Sequence, residues 1–238
     1  MEQIANIHNI GLVAAAVEKL VSRSNGLPGL AAIYGPSGWG KSTALLAASN
    51  TCRAYYVQLL STWDCKTILE KILTEMSIRP AGNKSQLLDQ VSQQLAASGR
   101  PLILDEFDRC LKSVAKVEMV RDIYEASQSP VIIAGEELLP MKLAKWETFH
   151  SRVLSWIPAQ PVSLSDARAV APIYCPVPVA DDWLQMVIDV AAGSVRRVVV
   201  NLSNAADEAA IEGWRSIDRE VWGQRPIYMG EAPARRAA

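Results

Sequence analysis

The chain has 238 residues, half of them hydrophobic, with 24 basic and 25 acidic side chains and a formal charge of −1. Such a length buries a substantial core and suits one large domain, or one medium domain with a small companion. Near-neutrality excludes a surface that attracts polyanions by bulk charge, so any such binding has to come from a local patch or from patches aligned by oligomerisation.

Residues 1 to 10 read as a short lead-in, and Gly11 to Arg23 as a helix with Leu12, Val13, Val17 and Leu20 at helical spacing. Asn25-Gly26-Leu27-Pro28-Gly29 breaks it, and the apolar run Leu30 to Tyr34 follows as a strand. Next stands Gly35-Pro36-Ser37-Gly38-Trp39-Gly40-Lys41-Ser42-Thr43, which satisfies G-x-x-x-x-G-K-[ST] and leads into the helix-forming Ala44 to Ala48. Strand, glycine-rich loop and helix are the arrangement a phosphate cradle needs. Backbone amides of the loop and helix start point at a phosphate chain in a field that favours negative charge. Lys41 would reach the β- and γ-phosphates of ATP, and the Ser42 hydroxyl would ligate Mg²⁺.

Further on, Ala54 to Leu59 reads as a strand and Lys66 to Met76 as a helix. A polar loop, Ser77 to Lys84, precedes a second helix from Ser85 to Gly99. Pro101 to Glu106 is a nearly all-apolar run of the kind that a parallel strand shows when covered on both faces. After a helix at Val114 to Ser127, Pro130 to Gly135 repeats that signature and Val153 to Ile157 is a weaker instance. Five strands alternating with helices predict an α/β fold with a five-stranded parallel sheet flanked by helices. Beyond Ile157 come Pro158, Pro161, Pro172, Pro176 and Pro178, then helical segments near Asp181 to Ala192 and Ser194 to Ala210. The expected division is a nucleotide-binding domain over 1–160, a small all-helical domain over 161–212 and a largely flexible extension over 213–238, mobile from Gly223.

A phosphate cradle alone does not hydrolyse ATP. Asp105 and Glu106 end a buried strand, so their carboxylates would face the crevice where open α/β sheets bind ligands. Asp105 would hold Mg²⁺ through water, and Glu106 would orient or deprotonate the attacking water. The adjacent pair favours P-loop ATPases that carry an extra strand between the two motifs. Here that strand would be Pro101 to Glu106, separated from the phosphate loop by the Ala54 to Leu59 strand.

In this order GPSGWGKST, PLILDEFDR, MVRDIYEASQSPVIIAGEELL, FHSRV and GSVRR resemble the AAA+ ATPases of DNA transposition, the phage Mu B transposition protein and the TnsC and TniB regulators. Over roughly residues 5 to 210 the resemblance implies an AAA+ domain with a small helical lid. Arg152 would match the arginine that enters a neighbouring subunit's site, and Arg196, or its neighbour Arg197, the lid arginine that senses the γ-phosphate. It further implies an ATP-dependent homo-oligomer or helical filament on duplex DNA, sequence-nonspecific, that selects targets for and activates a transposase. Arg79, Asn83, Lys84 and Ser85 would track phosphates, with Lys66 and Lys71 nearby in sequence. The lead before the loop is too short for the helix-turn-helix domain of larger members. One departure stands out: the fourth strand ends at Gly135 and is followed by Glu136 and Glu137, where Thr, Asn or Ser is usual. Either Glu136 turns away or hydrolysis is slow.

Cys52, Cys65, Cys110 and Cys175 form no C-x-x-C pair and read as free thiols of a reducing compartment. No targeting segment opens the chain and no apolar run approaches a span of about 18 residues, so a cytoplasmic protein without a membrane partner is expected. His8 and His150 read as packed or surface residues, with His8, Asn9 and Ile10 bordering the adenine. Trp39 is expected to face solvent and to meet a neighbouring subunit, and the tail arginines Arg225, Arg235 and Arg236 could recruit a transposase. The competing functions are a helicase loader or secretion-type ATPase, a nucleotide-gated scaffold with little turnover, and, least, a small-molecule phosphotransferase.

Overall fold

The computed structural model describes residues 5–24 and 26–230, so Asn25, Arg235 and Arg236 lie outside the described residues. Two compact units make up the chain. One is an α/β unit of Asn9–Pro36 and Lys41–Ala159; the other is helical, runs from Gln160 onward, and takes in residues 5–8 and the loop tip Ser37–Gly40.

The first unit runs α1 (His8–Val21), β1 (Leu30–Tyr34), α2 (Lys41–Cys52), β2 (Tyr55–Gln58), α3 (Cys65–Glu75), α4 (Lys84–Ser98), β3 (Leu102–Asp105), α5 (Val114–Ser127), β4 (Val131–Gly135), α6 (Leu139–Leu143), α7 (Glu147–His150) and β5 (Val153–Pro158). A 3-10 turn at Phe107–Arg109 follows β3. All pairings are parallel and the strand order is β2-β3-β4-β1-β5. Successive residues of the central strands serve opposite faces, as the two-residue period requires. Leu30, Ala32, Leu102, Leu104, Val131 and Ile133 pack with α3, α4 and α5, whereas Ala31, Ile33, Ile103, Ile132 and Ala134 pack with α1 and α2. Burial on both faces is why these strands read as unbroken apolar runs.

Strand order corrects one expectation. The strand between the phosphate-loop strand and the acidic strand is β4, which pairs with both β1 and β3, while the Ala54 to Leu59 segment forms the edge strand β2. Hydrophobic pattern records burial, and β2 shows its edge position in the exposed Gln58, but no local signal orders the inner strands. Helix ends follow side-chain chemistry. Asn83 accepts the Gln86 N–H while Gln86 accepts the Asn83 N–H, a capping box, and Gly99 closes α4 at φ 63°.

The helical unit contains α8 (Leu164–Tyr174), α9 (Asp181–Ala191), α10 (Val195–Glu212) and α11 (Arg219–Trp222). Its core is built on Ala167, Val170, Trp183, Leu184, Val187, Val198, Leu202 and Ala205, with Trp183 and Trp222 edge to face at 5.2 Å. Helix α8 was not anticipated, because its sequence lies among prolines. Ser163 and Asp166 cap it reciprocally, and Pro172 falls near the end, where the Arg168 carbonyl that loses its partner sits on an exposed residue. Residues before the undescribed end are tied down as well. Asn201, 1% exposed, accepts the Tyr228 N–H at 2.8 Å and donates to the Tyr228 carbonyl at 3.0 Å, while Arg225 reaches Glu208 and Glu212 on α10.

Candidate nucleotide-binding site

The phosphate loop leaves β1 at Gly35 and enters α2 at Lys41. Gly38 and Gly40 adopt φ of +84° and +82°, a region costly for residues with a Cβ. A Cβ on Gly38 would also lie 2.5 Å from the Ser194 hydroxyl oxygen. Within the helical unit, the Arg196 N–H donates to the Gly38 carbonyl at 3.2 Å, which places the first turn of α10 on the loop tip. Arg196 is exposed, whereas Arg197 donates to the Ala191 carbonyl and its guanidinium lies against Gly230. Trp39 is half-buried rather than solvent-facing: Gly193 abuts its indole.

In the α/β unit, Lys41 Nζ donates to the Gly35 and Pro36 carbonyls at 2.8 and 2.9 Å. Burial holds its ammonium below the ordinary lysine range, against the opposing pull of Asp105, Glu106, Asp108 and Glu136. Ser42 is half-buried beside it and Thr43 is exposed. Asp105, 2% exposed at the end of β3, accepts the Tyr56 hydroxyl at 2.8 Å and the Glu106 N–H at 2.8 Å. Burial, and then the Asp105 carboxylate, push the Tyr56 phenol above its usual range, so Tyr56 is a donor at neutral pH. Each Asp105 oxygen keeps a lone pair free, and among the described residues no group of three His, Cys, Asp or Glu is placed to hold a metal ion. A buried carboxylate with a free lone pair on each oxygen fits Mg²⁺, which takes few protein ligands and completes its shell with phosphates and water.

Glu106 has left-handed backbone angles, φ 58° and ψ 39°, and its carboxylate is 3.6 Å from Arg109. The expected conflict at the end of β4 resolves through residues the sequence reading passed over. The Asp108 carboxylate occupies the space over Gly135, where a Cβ would collide with it. Asp108 accepts the Glu136 N–H at 2.6 Å and the Lys142 ammonium at 2.9 Å. Glu136 itself turns outward, 68% exposed, to Lys142 at 3.4 Å. The only sequence hint was that Asp108 stands three residues after Asp105.

Arg152 lies apart from this edge. Its carbonyl accepts the Leu30 N–H at 3.0 Å, at the start of β1, whereas Gly35 follows the end of β1. At about 3.3 Å per residue the strand separates them by about 15 Å. Its guanidinium pairs with Glu125 at 2.5 Å and is 42% exposed. The remaining predicted positions, Arg79, Lys84 and Ser85, are exposed around the α3–α4 connection, while the Asn83 side chain is committed to its cap. The His8 N–H is bound by Asp166, and the His150 ring packs on Trp156 at 5.0 Å.

The sequence profile of a family described as an AAA domain matches residues 23–143, half of the chain. The chain belongs to the AAA domain family. No curated protein sequence matches it. This AAA domain chain is similar in structure to the ORC2 protein of Aeropyrum pernix in its ADPNP–ADP complexes, with a TM-score of 0.69 at 17% identity over 92% of this chain and 68% of that one. The A. pernix ORC1 protein in complex with DNA gives 0.65 at 15% identity, covering 92% of this chain and 64% of that one. Domain III of the Thermotoga maritima replication initiation protein DnaA gives 0.61 at 15%, covering 91% and 90%. At these identities the likeness establishes the fold, a five-stranded parallel AAA sheet flanked by helices with a helical C-terminal region. No described helix is long and apolar enough to cross a membrane.

Proposed function

We propose that this AAA protein is an ATPase that oligomerises on duplex DNA, without sequence preference, when ATP and Mg²⁺ are bound. The observation that carries the reading is the meeting of Lys41, buried Asp105 and Glu106 at one end of the sheet, with the loop glycines in the conformation a phosphate cradle needs. Bound Mg²⁺ would neutralise phosphate charge. Lys41 would exchange its two carbonyl partners for phosphate oxygens, Ser42 would hold the ion directly and Asp105 through water, and Glu106 would take a proton from the attacking water as its oxygen bonds to Pγ and the Pγ–O bond to ADP breaks. Residues 1–160 carry this chemistry, and the sequence resemblance supports a γ-phosphate-sensing role for Arg196 in residues 161–212.

Arg152 stands at the opposite end of its own strand, so its use in phosphoryl transfer requires a second copy of the chain. Its weak surface pair with Glu125 would be exchanged for a neighbour's γ-phosphate. Fuel and assembly are thereby one event. Arg79, Lys84 and Ser85 contact DNA phosphates, and a row of such weak sites binds well where one subunit binds poorly.

Within this class, the sequence resemblance supports a target selector and transposase activator. Likeness to ORC proteins, one of them in complex with DNA, favours a second reading as an initiator or helicase-loader type of ATPase. Electron microscopy of the protein with ATP and duplex DNA separates them: continuous filaments fit the first, closed rings the second. Solitary subunits on DNA with a non-hydrolysable ATP analogue would sink both.

A further inference from the structure

The end of β4 has no side chain of its own to offer a γ-phosphate, and a neighbouring pair fills the gap. The turn after β3 carries Asp108 across Gly135, with its side chain only 11% exposed, and two donors fix it there: the Glu136 N–H and the Lys142 ammonium. Strands β3 and β4 are parallel neighbours, so this turn and Gly135 share the carboxyl edge of the sheet, and both Asp108 and Glu136 act on Lys41 electrostatically. A carboxylate so placed would repel a terminal phosphate if it stood alone. Lys142 changes that. Its ammonium, 37% exposed, has three protons, and Asp108 and Glu136 engage two. A pair that only stapled α6 to the turn would not need the space over Gly135.

We propose that Asp108 and Lys142 together form the γ-phosphate-sensing pair of this protein. Lys142 donates to the terminal phosphate, and Asp108, oriented by the Glu136 amide, accepts a hydrogen bond from the attacking water. That water's oxygen bonds to Pγ, its proton passes to Glu106, and ADP leaves with the electrons of the broken Pγ–O bond. The assignment rests on the ATPase reading above and names two residues of the α/β unit by which the site tells ATP from ADP.

The test compares affinities of the full chain for a non-hydrolysable ATP analogue and for ADP, both with Mg²⁺. Lys142→Met should weaken the analogue about tenfold, the worth of one charge-assisted hydrogen bond, and leave ADP nearly unchanged. Asp108→Asn should keep both affinities and lower turnover about a hundredfold. The double variant should stay weaker for the analogue than the wild type, because the ammonium donor is still missing, and should regain only what the unmatched Asp108 carboxylate adds to the loss. Should Lys142→Met fail to fold, Lys142→Gln gives the same comparison. An unchanged ratio of the two affinities in the folded variant overturns the sensing pair alone, since the wild type would still bind ATP. Loss of neither ligand in Lys41→Ala, or no binding by the wild type, overturns the ATPase reading and this inference with it.

Discussion

Glu106 holds a left-handed backbone at the end of a strand, whereas the other described non-glycine residues with positive φ, Arg53, Ser77, Gln128 and Ala192, stand one or two positions after helices. Such a conformation costs about 1–3 kcal/mol and is kept where the side chain must be aimed. Replacing Glu106 by glycine should therefore raise thermal stability by about 1 kcal/mol while abolishing turnover. Glu106→Gln, which keeps the shape, should lower turnover at least a hundredfold with ATP affinity unchanged, as read by fluorescent-nucleotide titration. Lys41 supplies a pH test. Its free-state pKa lies below 10.5 because of burial, and a bound triphosphate would raise it. Binding is then linked to proton uptake, and ATP affinity should fall as pH rises toward 10, earlier than for an ordinary lysine; calorimetry from pH 7 to 10 measures it. Among residues, the phosphate loop and the Asp105–Glu106 pair were legible because their chemistry is written in contiguous sequence. Asp108, Lys142 and Tyr56 were not, because each acts on a partner 28 to 49 positions away.

Helices and strands were legible within one to three residues where hydrophobic period and end signals agree. The α5 boundaries were read to the residue, and Gly99 marked the end of α4. Helix α8 escaped for a physical reason: proline counts against a helix in sequence, yet Pro172 costs little near the C-terminal end, and the Ser163–Asp166 box supplies the start. Ser163→Ala should lower stability by about 1 kcal/mol, measured by urea unfolding. At the α3–α4 connection, the Asn83 cap and the proposed DNA contacts fall on different residues. Lys84→Glu should weaken DNA binding and reduce its salt dependence while leaving ATP binding intact; parallel loss of both would remove this connection from the DNA contact.

For the whole molecule, the placement of Arg152 just before β5, beside the start of β1, makes a prediction about mixtures. Lys41→Ala lacks its own phosphate site and Arg152→Ala lacks the arginine for its neighbour, so each alone should be nearly inactive. Mixed in equal amounts they should regain turnover, because the loop of one variant meets the arginine of the other; no gain on mixing would confine catalysis to single subunits. The sequence by itself determined the five strands, most of the longer helices, the α/β class and the glycine-rich loop between β1 and α2, since periodicity, breakers and a contiguous motif are properties of neighbouring residues. Only the tertiary structure decided that β4 lies between the two motif strands, that the Asp108 carboxylate fills the space over Gly135, and that Arg152 and Gly35 lie at opposite ends of the paired strands β1 and β5. Strand order and the meeting of distant side chains depend on how buried faces pack against one another, and local pattern records that a face is buried without recording what buries it.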